Sequence, residues 1–223
     1  MVAGRRGGPA RVYDGPDMTG SGARWPLTLL WLLLVCYPDP RVLWRSIQHT
    51  IRPPIDPVGV RDWAAALPDN PAIIENLVLE RVQYAIPWQT FGVPWVLAGP
   101  AETLARGWGD CQARAVVLAS VLAAKGIPFQ LRASVDHMWV DYPGKQPNPL
   151  ENAAKTLWAK PPAGGFAFRL PHIDLAESVR IEKEYFWDAA PAARKRLLFA
   201  GLGFIWLLPA VVRGAQARLT RRA

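Results

Sequence analysis

Cys111 lies where a predicted helix begins, and this position predicts a reactive thiol. The stretch GWGDCQARA at 107–115 places the cysteine directly after Asp110, a residue type that caps helix N-termini. Apolar residues then recur with helical spacing until Gly126 ends the pattern. A thiol in the first turn lies beside free backbone N–H groups and the positive end of the helix dipole, and both lower its pKa. The spacing therefore predicts a thiolate nucleophile at Cys111.

His137 begins the second of two predicted strands that follow this helix. In FQLRASVDHMWVDYP (129–143), apolar and polar residues alternate, which indicates a half-buried strand, a tight turn near 135–136 and a second strand. A cysteine that opens a helix and a histidine that opens a neighbouring strand can form a thiolate–imidazolium pair. The imidazole raises the thiolate population and later protonates the leaving group. The two residue types in this order predict nucleophilic catalysis.

Four short motifs in one order carry a resemblance to a known family. They are GDC at 109–111, the Ala-rich apolar helix that follows, GIP at 126–128 and HMWVD at 137–141. Over roughly residues 87–142, this pattern resembles the transglutaminase-like superfamily, whose catalytic core is similar to papain. The resemblance implies an α+β fold in which the cysteine helix packs on an antiparallel sheet. It also implies that Cys111 is the nucleophile and His137 the base.

The residue that should orient His137 departs from the family pattern. The family has an Asp on the following strand, whereas this chain continues as YPGKQPNPLENAAKTLW. Asn152 lies at a similar interval after His137, and asparagine can orient an imidazole in papain-like sites. We therefore expect Asn152 to be the third catalytic residue, with Asn148 in reserve. Asp141 lies four residues along the strand from His137, about 13 Å away, which is too far for its carboxylate to reach the imidazole.

A loop rich in aromatic residues, at 87–100, is expected to shape the substrate site. Its Trp88, Gln89 and Trp95 side chains are candidate oxyanion donors beside the Cys111 backbone N–H. Gly109 would let a substrate backbone come close. The three histidines and two cysteines lack the spacing of metal ligands, so neither a metal nor an organic cofactor is expected.

Apolar runs near both termini predict membrane helices. The first covers 25–37 and the second 197–212, each shorter than the ~20 residues of a typical span. Two antiparallel membrane helices are the favoured interpretation. The alternatives are a cleaved signal sequence for the first run and a buried core helix for the second. The predicted organisation is a disordered basic tail (1–24), a membrane helix or signal anchor (25–37), a linker with an interfacial helix (38–68), a transglutaminase-like domain (69–190), a C-terminal membrane helix (194–213) and a basic tail (214–223).

The net charge of +8 does not indicate nucleic-acid binding, because the excess lies in the tails. Residues 213–223, for example, carry four Arg and no acidic residue. Positive charge beside apolar runs is typical of membrane flanks. We expect membrane lipid as a partner, cytoplasmic termini and an extracytoplasmic catalytic domain. Translation could start at Met1 or at Met18.

These observations predict a membrane-anchored cysteine enzyme that acts on an amide bond of a protein or peptide through a Cys111 thioester. Water as the second substrate makes it a protease or amidase, which is favoured. An amine makes it a cross-linking transferase. The alternative interpretation is a catalytically inactive transglutaminase-like module that binds partners or acts as a scaffold in a membrane complex.

Overall fold

The computed structural model describes residues 22, 24–134, 137–146, 148, 151, 156–160, 167–168 and 175–220. The chain divides into two compact units, one of residues 34–195 and one of residues 1–33 with 196–223. The elements in chain order are α1 (Arg24–Cys36), α2 (Pro40–Ile51), α3 (Arg61–Ala65), α4 (Pro71–Arg81), β1 (Gln83–Tyr84), α5 (Pro87–Thr90), α6 (Pro100–Arg106), β2 (Trp108–Gly109), α7 (Cys111–Ala124), β3 (Gln130–Ala133), β4 (Met138–Asp141), β5 (Trp158–Lys160), β6 (Ala167–Phe168), α8 (Leu175–Glu182), a π-helical segment (Lys183–Asp188) and α9 (Ala192–Thr220).

The larger sheet of the 34–195 unit is antiparallel, with the strand order β4-β3-β5-β6. The β3–β4 hairpin pairs Gln130 with Asp141 and Ala133 with Met138. A second, parallel pair joins β1 to β2 and sets Tyr84 opposite Gly109. Helices together with small sheets confirm the mixed α+β class predicted from the sequence.

Helix α7 forms the centre of the core. It packs against β3 and β4 on one side and against α3, α4 and α6 elsewhere. Val117 and Leu122 of the helix and Leu131 of the sheet are fully buried, and Val140 nearly so. Burying one such side chain stabilises the fold by about 1.5–3 kcal/mol. The helix that begins at Cys111 is therefore held on several sides.

Side-chain caps set where the two key helices begin. Asn70 Oδ1 accepts hydrogen bonds from the backbone amides of Ala72 and Ile73, and Pro71 occupies the first position of α4. Asp110 Oδ1 accepts from the Ala113 amide at 2.9 Å and starts α7 at Cys111. The start of α7 agrees with the sequence prediction.

In the unit of residues 1–33 and 196–223, tryptophans join α1 to α9. Trp31 Nε1 donates to the Leu198 carbonyl at 3.2 Å, and Trp206 Nε1 donates to Thr28 Oγ1 at 3.0 Å. A Cβ at Gly201 would lie 2.0 Å from the Trp31 ring, so this contact needs a glycine.

In the described part of the chain, no single helix is both long enough and apolar enough to span a membrane. The consecutive helices α1 and α2 meet these two requirements together, across a bend. The two predicted membrane helices remain a prediction.

Candidate active site

Cys111 and His137 line the same cavity, which has a volume of about 250 Å³. Cys111 comes from the first turn of α7, and His137 directly precedes β4, the strand on which α7 packs. The structure therefore brings together the two residues from which the sequence predicted catalysis. The other described lining residues are Glu75, Val78, Leu79, Tyr84, Arg114, Ala115, Leu118, Met138, Trp139, Val140 and Glu151.

Two hydrogen bonds to Ser134 fix the backbone of His137. The Ser134 amide donates to the His137 carbonyl at 2.8 Å, and the His137 amide donates to Ser134 Oγ at 3.0 Å. The imidazole stacks on the Trp139 ring, with 5.9 Å between the ring centroids and 13° between the planes. Residues two apart on a strand share a face, so the strand itself provides this stacking.

The Cys111 sulfur lies among backbone N–H groups but is also withdrawn from water. The amides of Cys111, Gln112 and Met138 each lower the thiol pKa. Burial raises it more, the Asp110 carboxylate raises it further, and the result is a pKa of about 12. The helix terminus therefore lowers this pKa as predicted, but burial outweighs it and the net shift is upward. The predicted thiolate is wrong, because the sequence pattern did not include the cost of burying a charged sulfur.

Asp110 has a second hydrogen-bond partner, which the sequence did not predict. Tyr185, in the π-helical segment, donates its hydroxyl hydrogen to Asp110 Oδ2 at 2.5 Å. Asp110 is only 3% exposed, and burial raises the pKa of its carboxyl despite these hydrogen bonds. The two residues are 75 positions apart, so no local pattern could have linked them.

Arg114 places a positive charge close to Cys111. Its Nε donates to the Val82 carbonyl at 2.9 Å, and its guanidinium lies over the Tyr84 ring at 5.3 Å from the centroid. Both Arg114 and Tyr84 line the cavity. The helical i, i+3 spacing from Cys111 to Arg114 could have revealed this neighbour, because residues three apart share a helix face.

A half-buried ionic network borders the same cavity at Glu75 and Glu151. Lys145 Nζ lies 2.8 Å from a carboxylate oxygen of each glutamate, and Tyr142 donates to the other Glu75 oxygen at 2.5 Å. Lys145 Nζ also donates to the Val140 carbonyl at 2.7 Å. These bonds hold the end of β4 against α4.

The predicted oxyanion donors of the loop have other partners. Trp88 Nε1 donates to the Phe186 carbonyl at 2.8 Å, and Trp95 Nε1 donates to Gln112 Oε1 at 3.1 Å. Gln89 is exposed and lines a different cavity with Tyr84 and Trp108. None of Trp88, Gln89 and Trp95 is among the described residues that line the Cys111 cavity.

Gly109 is buried beside the first turns of two helices. A Cβ at this position would lie 2.6 Å from Ala113 Cβ and 3.3 Å from Thr103 Cγ2. Real Cβ atoms do not approach each other so closely. The close packing of β2 on α7 therefore excludes any side chain larger than that of glycine at position 109. Its predicted role in admitting a substrate backbone remains a prediction.

Two of the three residues considered for orienting His137 lie among the described residues. Asn152, the favoured candidate, lies outside the described residues. Asn148 is exposed, and Asp141 forms an ion pair with Arg132 at 3.1 Å. Among the described side chains, no three His, Cys, Asp or Glu residues gather as a set that could hold a metal ion.

Comparisons of this protein with models of known protein families, with curated proteins and with solved structures find no match.

Proposed function

We propose that this protein is a transglutaminase-like cysteine enzyme that cleaves amide bonds of a protein or peptide through a thioester on Cys111. The proposal depends on one observation: Cys111 and His137 line the same cavity. Cys111 is the first residue of the central helix α7, and His137 directly precedes β4, on which that helix packs. The packing of α7 on the antiparallel hairpin β3–β4 supports the transglutaminase-like assignment of the core.

The raised thiol pKa determines how Cys111 must be activated. With a pKa of about 12, the thiol is protonated at neutral pH. His137 therefore acts as a general base that accepts the thiol proton while the sulfur–carbon bond forms. The carbon–nitrogen bond then breaks, and His137 passes the proton to the leaving amine. The acyl group remains on Cys111 as a thioester.

The second half of the reaction regenerates the thiol. Water adds to the thioester carbon, the sulfur–carbon bond breaks, and the products are a carboxylic acid and the free thiol. A primary amine in place of water would yield a new amide. The resemblance favours hydrolysis. Neither route requires a metal or an organic cofactor.

Backbone amides rather than tryptophan side chains are the best oxyanion donors. The N–H groups of Cys111 and Met138 both interact with the Cys111 sulfur. A carbonyl bonded to that sulfur would place its oxygen close to these donors, which could stabilise the charge that develops in the transition state.

We also propose that the protein associates with membranes. In α2, Trp44, Ile47 and Ile51 form an exposed apolar stripe at i, i+3 and i+7 spacing. Trp44 is 63% exposed and Ile51 is 67% exposed. Arg41 and Arg52 flank the stripe, and an apolar face with basic flanks is typical of helices that lie in a membrane interface.

A second candidate function is a transglutaminase-like binding or scaffold module without catalysis. The withdrawal of the Cys111 sulfur from water, with its raised pKa, favours this candidate. The two candidates differ in whether Cys111 is needed for turnover.

Cleavage of a mixture of unstructured peptides tests the proposal. The wild-type chain should release new amino groups, and Cys111→Ala should abolish the release. Cys36→Ala is the matched control, because it removes the other free cysteine from a helix outside the cavity, and it should cleave at the wild-type rate. Equal cleavage by wild type and Cys111→Ala would exclude catalysis by Cys111. The binding or scaffold module would then be the candidate function of this domain.

A further inference from the structure

The π-helical segment Lys183–Asp188 forms hydrogen bonds with Asp110, the neighbour of Cys111, and with Trp88 of the aromatic loop. Tyr185 donates to Asp110 Oδ2 at 2.5 Å, and the Phe186 carbonyl accepts from Trp88 Nε1 at 2.8 Å. π-helical turns are rare and often occur at functional sites, because the widened turn redirects side chains. Here consecutive residues bind the helix cap of α7 and the aromatic loop.

Asp110 has two different effects on its neighbour Cys111. Through Oδ1 it caps α7 and so fixes the position of the thiol. Through its charge it opposes any negative charge on the sulfur. Because Asp110 is almost fully buried, water screens this repulsion poorly. A donor on Oδ2 is the means by which the protein can keep the cap and weaken the repulsion.

We propose that Tyr185 is a positioning residue of the Cys111 site, whose hydroxyl group holds the Asp110 carboxylate on the helix cap and offsets part of its charge beside the reacting sulfur. This inference rests on the proposed function of Cys111. Tyr185 does not touch the substrate in this account and acts only through Asp110.

The neighbours of Cys111 identify Asp110 as the group through which Tyr185 must act. The titratable or charged side chains described around the thiol include Asp110, Tyr84 from β1, Arg114 from α7 and His137 just before β4. Glu75 and Glu151 also line the cavity. Among these side chains, Asp110 is the one that accepts a hydrogen bond from the Tyr185 hydroxyl in the described part of the chain. Removal of the Tyr185 hydroxyl should therefore act on the thiol only while Asp110 carries its charge.

Alkylation of Cys111 by iodoacetamide between pH 8 and 10, in the Cys36→Ala background, tests this proposal without any substrate. Tyr185→Phe should slow alkylation about threefold or more at each pH, because an Asp110 carboxylate without this donor opposes the developing thiolate more strongly. Tyr142→Phe is the matched control, because Tyr142 donates to a Glu75 carboxylate at the same distance, and it should alkylate like the parent.

The Asp110→Asn background separates a specific effect from a general loss of structure. Asp110→Asn should speed alkylation, and Tyr185→Phe added to it should cause no further slowing. The proposal is overturned if Tyr185→Phe matches Tyr142→Phe, if it speeds alkylation, or if it slows alkylation equally in the Asp110→Asn background. If Tyr185→Phe does not fold, Asp110→Asn alone decides, since unchanged or slower alkylation overturns the proposal. Failure here leaves the Cys111→Ala cleavage test of the proposed function unaffected.

Discussion

Opposing groups act on the Cys111 thiol at the scale of single residues. The helix terminus favours a thiolate by about 0.3–1 kcal/mol, and by up to ~2 kcal/mol in partly buried sites. The pKa rises from an ordinary 9.0 to about 12, which corresponds to roughly 4 kcal/mol against ionisation. Burial therefore outweighs the helix terminus. Cys111 keeps some exposed surface, although its sulfur lies among protein atoms.

The pair Cys111 and His137 could be predicted from the sequence, but the electrostatics of the pair could not. The N-cap at Asp110 and the strand at His137 depend on residues within a few positions. Burial of the sulfur, and the hydroxyl that Tyr185 contributes to Asp110, depend on contacts far apart in the chain. Local patterns carry no information on such contacts.

Asp110→Asn should also change how stability depends on pH. Burial raises the Asp110 pKa, so the protonated carboxyl is more strongly favoured in the folded protein than in the unfolded chain. That contribution to stability is complete below the ordinary Asp pKa and is lost as pH rises through the raised value. Asparagine keeps the cap and does not ionise. The difference in unfolding free energy between Asp110→Asn and wild type should therefore shift in favour of the variant from pH 4 to pH 7. Urea unfolding at the two pH values measures this difference.

Asp39→Asn provides the control for this measurement. Asp39 caps α2 in the same way, with its Oδ1 2.9 Å from the Arg41 amide, but at an exposed position. It should show a much smaller change between the two pH values. An equal change in both variants would contradict the assignment to a buried carboxyl.

At the scale of elements, helix starts and the β3–β4 hairpin follow from local residue types. Asn70, Pro71 and Asp110 mark helix starts because their side chains satisfy or avoid free backbone amides. The parallel pairing of β1 with β2 and the position of β5 next to β3 join distant segments. These pairings depend on tertiary packing, which the short strands do not encode by themselves.

Gly109→Ala should disturb the junction of β2 and α7. The added Cβ would meet Ala113 Cβ at 2.6 Å, and neither atom can rotate away. Overpacking of this kind costs about 1–3 kcal/mol. We expect a lower thermal unfolding midpoint and altered iodoacetamide labelling of Cys111. Gly203→Ala, where the nearest atom lies 4.0 Å away, should not lower the midpoint. Equal midpoints for both variants would contradict the packing role of Gly109.

At the scale of the whole molecule, the segments near the chain ends expose large apolar side chains to solvent. In the unit of residues 1–33 and 196–223, Leu29 is 59% exposed and Phe204 is 66% exposed. Exposed apolar patches with basic flanks favour contact with lipid. The sequence predicted these segments by composition, but composition does not distinguish a span from an interfacial helix.

Co-sedimentation with vesicles of phosphatidylcholine and phosphatidylglycerol tests the membrane proposal. The wild-type chain should pellet with the vesicles, and Ile47→Ser with Ile51→Ser should weaken binding several-fold, because α2 loses apolar contact area. The control is Val58→Ser with Ile73→Ser, which changes similarly exposed apolar residues outside α2. Equal binding by the two double variants would refute the role of α2, and wild-type protein left in the supernatant would refute membrane association.

Trapping of the acyl-enzyme tests whether Cys111 is the nucleophile. The protein is mixed with the unstructured peptides and quenched in acid during cleavage, and its digest is analysed by mass spectrometry. The fragment that carries Cys111 should gain an acyl group, which hydroxylamine removes as it removes thioesters, and the same fragment of Cys111→Ala should gain none. Continued peptide cleavage with no acyl group on Cys111 would rule out a thioester at this residue.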